Sequence, residues 1–126
     1  MANIIYKELS YKIIGILFKV YNDLGFGFQE KYYTNAIKAV FDKMKISYLE
    51  QVRTDLKIKD LYVGRYYLDF IVDNKIVLEI KTKQNFSSQD IRQVLGYLKK
   101  TKLELGILAS FTREGIKFKR ILKGKN

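Results

Sequence analysis

The chain has 126 residues, 48% hydrophobic and 29% charged, with no proline, cysteine, histidine or tryptophan. That size and composition suit one globular domain over residues 1–126. They exclude a disulfide framework, a thiol nucleophile, a Cys or His zinc site and imidazole acid–base chemistry. Lys and Arg outnumber Asp and Glu by 24 to 13, a net charge of +11. Such a surplus favours an anionic partner, nucleic acid ahead of an anionic membrane surface, with a merely Lys-rich proteome as the bland alternative.

No apolar run is long enough to span a bilayer, and MANIIYKELS lacks the apolar region of a signal peptide. A cytoplasmic protein with no membrane association is expected.

In chain order, Leu9, Ile13, Ile16, Leu17, Val20 and Leu24 recur at helical spacing over residues 8–24. Gly25 stands where a left-handed helix C-cap is expected. Glu30 opens a second amphipathic segment with Tyr33, Ala36, Ile37, Val40, Phe41 and Met44 on its apolar side. From Ile46 the period shortens. ISYLEQVRTDLKIKDLYVG reads as a half-buried strand, and Gly64 as the turn before RYYLDFIV. DNK separates that strand from IVLEIKT. Ser87 with Asp90 three residues on resembles a capping box, opening a helix that ends near Thr101. LGILAS reads as a short buried strand and GIKFKRIL as an edge strand. The expected fold is therefore α/β or α+β, in the order ααβββαββ around one mixed sheet.

The stretch LDFIVDNKIVLEIKTK is the informative one. A three-residue loop at Asp73, Asn74 and Lys75 places Val72 opposite Ile76, Phe70 opposite Leu78 and Leu68 opposite Ile80, all on one face. On the other face Ile71 meets Val77 and Asp69 meets Glu79, with Lys81 two residues beyond. Like charges directly opposed across a sheet are destabilising, so the two carboxylates need a shared proton or a cation between them. An ion-pair cluster with Lys81 is the purely structural reading, but desolvation makes buried ion pairs weak stabilisers. A divalent ion explains the residues better. Hard cations take carboxylate, carbonyl and water oxygens, lower the pKa of water and stabilise developing phosphoryl charge. With the basic composition, this points to phosphodiester hydrolysis.

Asp69, then nine residues, then Glu79-Ile80-Lys81 resembles the D…(D/E)-x-K signature of the PD-(D/E)XK nuclease superfamily. Gln93 and Tyr97 in QVLGY are similar to the Q-x-x-x-Y motif of its RecB-like branch. Gly27, Glu30 and Tyr33 in GFQEKYY resemble the pattern of its GxxExxY family. The resemblance runs from about Asp23 to Leu122. It implies the restriction-endonuclease-like αβββαβ core, a mixed central sheet flanked by helices, here with an extra N-terminal helix. It also implies a Mg²⁺-dependent nuclease, with Mn²⁺ as a substitute ion. Asp69, Glu79 and Lys81 would be catalytic; Glu30, Asp69, Glu79 and the Ile80 carbonyl would hold the metal; Gln93 and Tyr97 would contact substrate. The implied partner is nucleic acid, DNA ahead of RNA, and a homodimer would help so small a domain grip a duplex. The alternative is an inactive domain of this fold that binds nucleic acid or protein.

Several residues also have simpler readings. Glu30 at a helix start suits the dipole. Gln93 and Tyr97 suit a partly exposed pair off the apolar stripe. Lys83 is either an extension of a basic, substrate-binding rim or a surface lysine, and Glu50 a solvated charge within reach of the site. Lys117, Lys119, Arg120, Lys123 and Lys125 either follow a phosphate backbone or protect an edge strand.

Overall fold

Periodicity and capping are realised in three helices. In the computed structural model, which describes residues 5–124, α1 spans Lys7–Leu24, α2 spans Glu30–Met44 and α3 spans Ser88–Lys100. Five strands complete the fold: β1 Tyr48–Ile58, β2 Leu61–Val72, β3 Ile76–Lys81, β4 Leu105–Thr112 and β5 Gly115–Leu122. The expected element order is the observed one. Lys125 lies outside the described residues.

The strands form one sheet in the order β1-β2-β3-β4-β5, with β3 and β4 parallel and the other neighbours antiparallel. The parallel pair requires a crossover, and α3 supplies it. Its start is set by a complete capping box: the Ser87 hydroxyl accepts the Asp90 N–H at 3.1 Å, and the Asp90 carboxylate accepts the Ser87 N–H at 2.8 Å. At the other side α1 ends in Gly25, whose φ of 75° and ψ of −167° are open to glycine and closed to most residues.

Two apolar clusters cover the two sheet faces. Under α1 and α2 lie Ile13, Leu17, Tyr33, Ile37, Phe41, Phe70, Leu78, Ile80, Ile107 and Phe111. Under α3 lie Leu68, Ile71, Val77, Val94, Leu98, Leu108 and Ile121. All eight residues of β4 are buried, as expected of a strand covered on both faces. Burying each large aliphatic side chain contributes about 1.5–3 kcal/mol, so these two layers hold the sheet rigid around whatever it carries. The helix crossover packs closest at Gly106: a Cβ there would sit 2.3 Å from Val94 Cγ1, so only glycine allows α3 this near β4. Leu24 and Met44, expected on apolar stripes, end up 37% and 47% exposed at the last turns of their helices.

Three expectations need correction. The β1–β2 turn falls at Lys59 and Asp60, where Lys59 takes a φ of 57°, and Gly64 lies inside β2 opposite Leu56. Glycine there accompanies a β-bulge between Leu56 and Lys57, so it marks an irregularity within the ribbon, not its end. Second, β1 is far more exposed than a half-buried strand, because its distal half and that of β2 extend beyond β3, which pairs with β2 only from Phe70 to Val72. Third, Leu68 does not share a face with Phe70. It packs under α3 while Phe70 packs under α2, so β2 changes face between them.

Candidate active site

The change of face is centred on Asp69. Glu50 pairs with Phe70 and Val52 with Leu68, but Gln51 and Asp69 between them form no ladder pair. On β1 the same switch occurs, since Tyr48 packs on the α1/α2 side and Val52 on the α3 side. Gln51 adopts a φ of 51°, a left-handed conformation that costs a non-glycine residue energy. The β2–β3 loop is as expected, with Asp73 and Asn74 both at positive φ, and the register Val72–Ile76, Ile71–Val77 and Phe70–Leu78 holds. Beyond Phe70 the ladder gives way to side chains. The Ile80 N–H donates to Asp69 Oδ2 at 2.7 Å, and the Asp69 N–H donates to Glu79 Oε1 at 2.8 Å.

Asp69 and Glu79 are thus brought together by two backbone-to-carboxylate hydrogen bonds. Burial, and then the neighbouring Asp69 charge, pushes the Glu79 carboxyl up to about 8. Burial likewise raises Asp69, against the bond from the Ile80 N–H. Each carboxylate commits one oxygen firmly to a backbone N–H. The other has only a weak protein partner: Gln51 Nε2 lies 3.5 Å from Asp69 Oδ1, and Lys81 Nζ lies 3.7 Å from Glu79 Oε2. Two hard oxygens, loosely held and mutually repelling, are a donor set that fits a divalent cation. Among the described residues no three carboxylates converge closely enough to hold an ion by themselves.

Lys81 is nearly buried and lies between two acids, 3.7 Å from Glu79 and 3.7 Å from Asp90 Oδ1. Asp90, the capping residue of α3, is therefore also part of this site, a second role that sequence spacing alone did not disclose. Its other oxygen holds Lys83 Nζ at 2.7 Å. Burial pushes Asp90 up, but Lys83, the Ser87 N–H and Lys81 outweigh it and hold the carboxyl below its usual range. Lys83 is accordingly an ion-paired residue as well as a rim cation.

Glu30 begins α2 at the mouth of the site. The residue is exposed overall, while its carboxyl end is shielded enough for burial to raise it, with Lys81 opposing and Asp69 reinforcing the shift. The preceding loop is fixed from within. The Tyr33 hydroxyl donates to the Gly25 carbonyl at 2.6 Å and the Tyr33 ring stacks on Phe111 at 4.2 Å. Gly27, at a φ of 104°, makes the turn that delivers Glu30. The three residues of the G-x-x-E-x-x-Y pattern thus have a turn, a charge and an anchor as their local roles.

Gln93 and Tyr97 sit elsewhere than directly over the carboxylates. They line a groove of about 800 Å³ between the β1–β2 ribbon and α3, together with Arg53, Tyr66, Arg92 and Lys100. Tyr97 also packs on the cluster under α3, so it is not off the apolar stripe as expected. Tyr66 ties the groove to the acid pair. Its hydroxyl donates to the Gln93 carbonyl at 2.7 Å, and the Glu79 charge helps raise its pKa, behind burial. Glu50 pairs with Lys38 of α2 at 3.3 Å, away from the site. At the C-terminal strand Lys117 bonds the Gln84 carbonyl and Arg120 the Ser10 hydroxyl, both intramolecular partners.

A mixed five-stranded sheet between three helices, with an acid pair and a lysine where β2 and β3 part, defines the restriction-endonuclease-like class of α+β domain. The family described as the PD-(D/E)XK nuclease superfamily matches residues 7–121, and the chain belongs to that superfamily. Its nucleases generally use divalent metals. The solved structure "Crystal structure of SSO0001" is similar to this chain at 22% identity and a TM-score of 0.57, a likeness of fold. The match covers 77% of this chain and 52% of that one, so the chain spans about half the length of that protein. No curated protein matches the chain. Among the described residues no helix is long and apolar enough to cross a membrane.

Proposed function

We propose that the protein is a metal-dependent nuclease that hydrolyses nucleic-acid phosphodiester bonds, with DNA as the first substrate to test. The observation that carries this reading is the joint placement of Asp69, Glu79 and Lys81, where two carboxylates each keep one loosely held oxygen beside an ammonium. Superfamily membership supports it. The G-x-x-E-x-x-Y loop supports the finer placement in the GxxExxY group.

Asp69 and Glu79 would hold Mg²⁺, or Mn²⁺ in its place, with the Ile80 carbonyl as an additional oxygen donor. Glu30, at the mouth and not converged with the pair, would complete the site only by moving in toward the ion. The ion would supply Lewis acidity and neutralise phosphoryl charge. Hydrolysis forms a P–O bond from water and breaks the P–O ester bond. The attacking water must lose a proton, and the departing oxygen must gain one. Lys81, which lies between Glu79 and Asp90, would orient that water and donate to a non-bridging oxygen as negative charge builds on it. Lys83, Gln93 and Tyr97 would bind the substrate on the α3 side of the sheet.

The test is cleavage of single- and double-stranded DNA and of RNA by wild type with Mg²⁺, with Mn²⁺ and with EDTA, alongside Glu79→Ala and Lys81→Ala. Metal-dependent cleavage by wild type and its loss in both variants is the expected result. Robust cleavage by both folded variants would sink the mechanism. Absence of wild-type cleavage with salt-sensitive binding retained would instead support a binding module of this fold.

A further inference from the structure

The groove between the β1–β2 ribbon and α3 has a composition that the acid pair does not explain. Its cations are Arg53, Lys57 and Lys59 on the ribbon and Arg92 and Lys100 on the helix, against the single carboxylate of Asp55. Arg53 Nε is paired with Asp55 at 2.9 Å, and Lys100 Nζ bonds the Asp55 carbonyl at 2.5 Å, which ties the helix end to the ribbon. Lys57, Lys59 and Arg92 are exposed, and among the described residues they have no ion-pair partner. A concave surface that gathers three exposed cations without ion-pair partners beside two tyrosines presents a positive potential that favours an anion.

The groove also has a direction. Gln89, at the start of α3, lines the groove beside Asp90, which holds Lys81 of the site, and the helix carries the lining on through Gln93, bonded by Tyr66, to Lys100 at the far end. An anion seated here is therefore continuous with one reaching Asp69, Glu79 and Lys81. A space of about 800 Å³ is of the size that takes one compact ligand, roughly two or three nucleotides of one strand; a duplex is too broad to enter. The cations suit a phosphate backbone, and the tyrosines suit base or sugar faces.

We propose that this groove is a single-strand subsite, which holds a short tract of polynucleotide displaced from the scissile bond and feeds it to the acid pair. The ribbon, extended past β3, is then a binding arm, and Lys57, Lys59 and Arg92 are its phosphate contacts. This inference rests on the nuclease reading, because it supplies that site with its substrate.

The experiment is fluorescence anisotropy with a labelled 12-nucleotide single-stranded DNA, the matching RNA and the matching duplex, in EDTA so that no turnover occurs. Wild type is compared with a Lys57→Gln, Lys59→Gln, Arg92→Gln variant. A Lys7→Gln, Lys12→Gln, Lys43→Gln variant on the α1/α2 side controls for net charge. The groove variant is expected to lose tenfold or more in single-strand affinity, and its slope of log K against log salt is expected to fall by about 2, three contacts' worth. The control is expected to keep the wild-type slope. Equal losses in groove and control variants would overturn the subsite while leaving the nuclease reading in place, as would duplex binding that outranks single-strand binding and ignores the groove changes. Failure of wild type to bind any of the three would also overturn the subsite, while the nuclease reading falls only if cleavage with Mg²⁺ and Mn²⁺ fails as well.

Discussion

Gln51 and Asp69 face each other across the β1–β2 ribbon at the point where both strands change face, with Gln51 Nε2 3.5 Å from Asp69 Oδ1. The irregularity takes both residues out of the ladder. It leaves the Asp69 carboxylate free to accept from the Ile80 N–H of the next strand. Strain in Gln51 is thus coupled to placement of the acid. Because its φ of 51° suits glycine, Gln51→Val is expected to be about 1–2 kcal/mol less stable than Gln51→Gly in urea denaturation. Equal stabilities would mean that the left-handed turn is not maintained in solution.

The acid pair makes stability depend on pH in an unusual sense. Glu79 is raised to about 8 and Asp69 is raised too, by burial and, for Glu79, by mutual repulsion. Between the ordinary carboxylate range and pH 8 the folded protein therefore binds more protons than the unfolded chain, so stability falls as pH rises. The contribution is fully present below the unfolded pKa and is lost through about pH 8. In EDTA the melting temperature is expected to drop between pH 5 and pH 9, and Glu79→Gln is expected to flatten that slope. A slope unchanged in the variant would remove the pair as its cause.

Asp90 joins a helix cap to the catalytic lysine of the proposed mechanism. Ser87→Ala removes only the reciprocal cap and is expected to cost about 1 kcal/mol with turnover preserved. Asp90→Asn keeps an oxygen for the Ser87 N–H but loses the charge that holds Lys81 and Lys83. It is expected to lower cleavage about tenfold at a similar cost in stability. Parallel losses of activity in the two variants would make Asp90 a structural residue alone.

Contact between α3 and the sheet has no spare room at Gly106. Gly106→Ala forces its new Cβ against Val94 Cγ1 and is expected to cost about 1–3 kcal/mol. Adding Val94→Ala is expected to recover part of the loss, read as non-additivity in chemical denaturation. Purely additive losses would argue against this contact.

Much of the fold was legible because local rules and burial agree along most of the chain. The apolar spacing of Ile13, Leu17 and Val20, the capping box at Ser87 and Asp90, and the Asn74 loop each carry their own signal, and each stands where expected. Hairpin register pointed to Asp69 and Glu79 as neighbours, but the ladder ends at Phe70 and Leu78, and bonds from the Ile80 and Asp69 N–H groups to the two carboxylates bring them together instead. Tertiary structure decided the rest. That Leu68 turns away from Phe70, that Gln51 bends opposite Asp69, and that Gly64 sits inside a strand all depend on two strands switching faces together, which no single-strand periodicity encodes. The second role of Asp90 and the basic groove arise where α3 crosses back over the ribbon. They bring together residues more than thirty positions apart, such as Arg53 and Arg92, that only the packed chain makes neighbours.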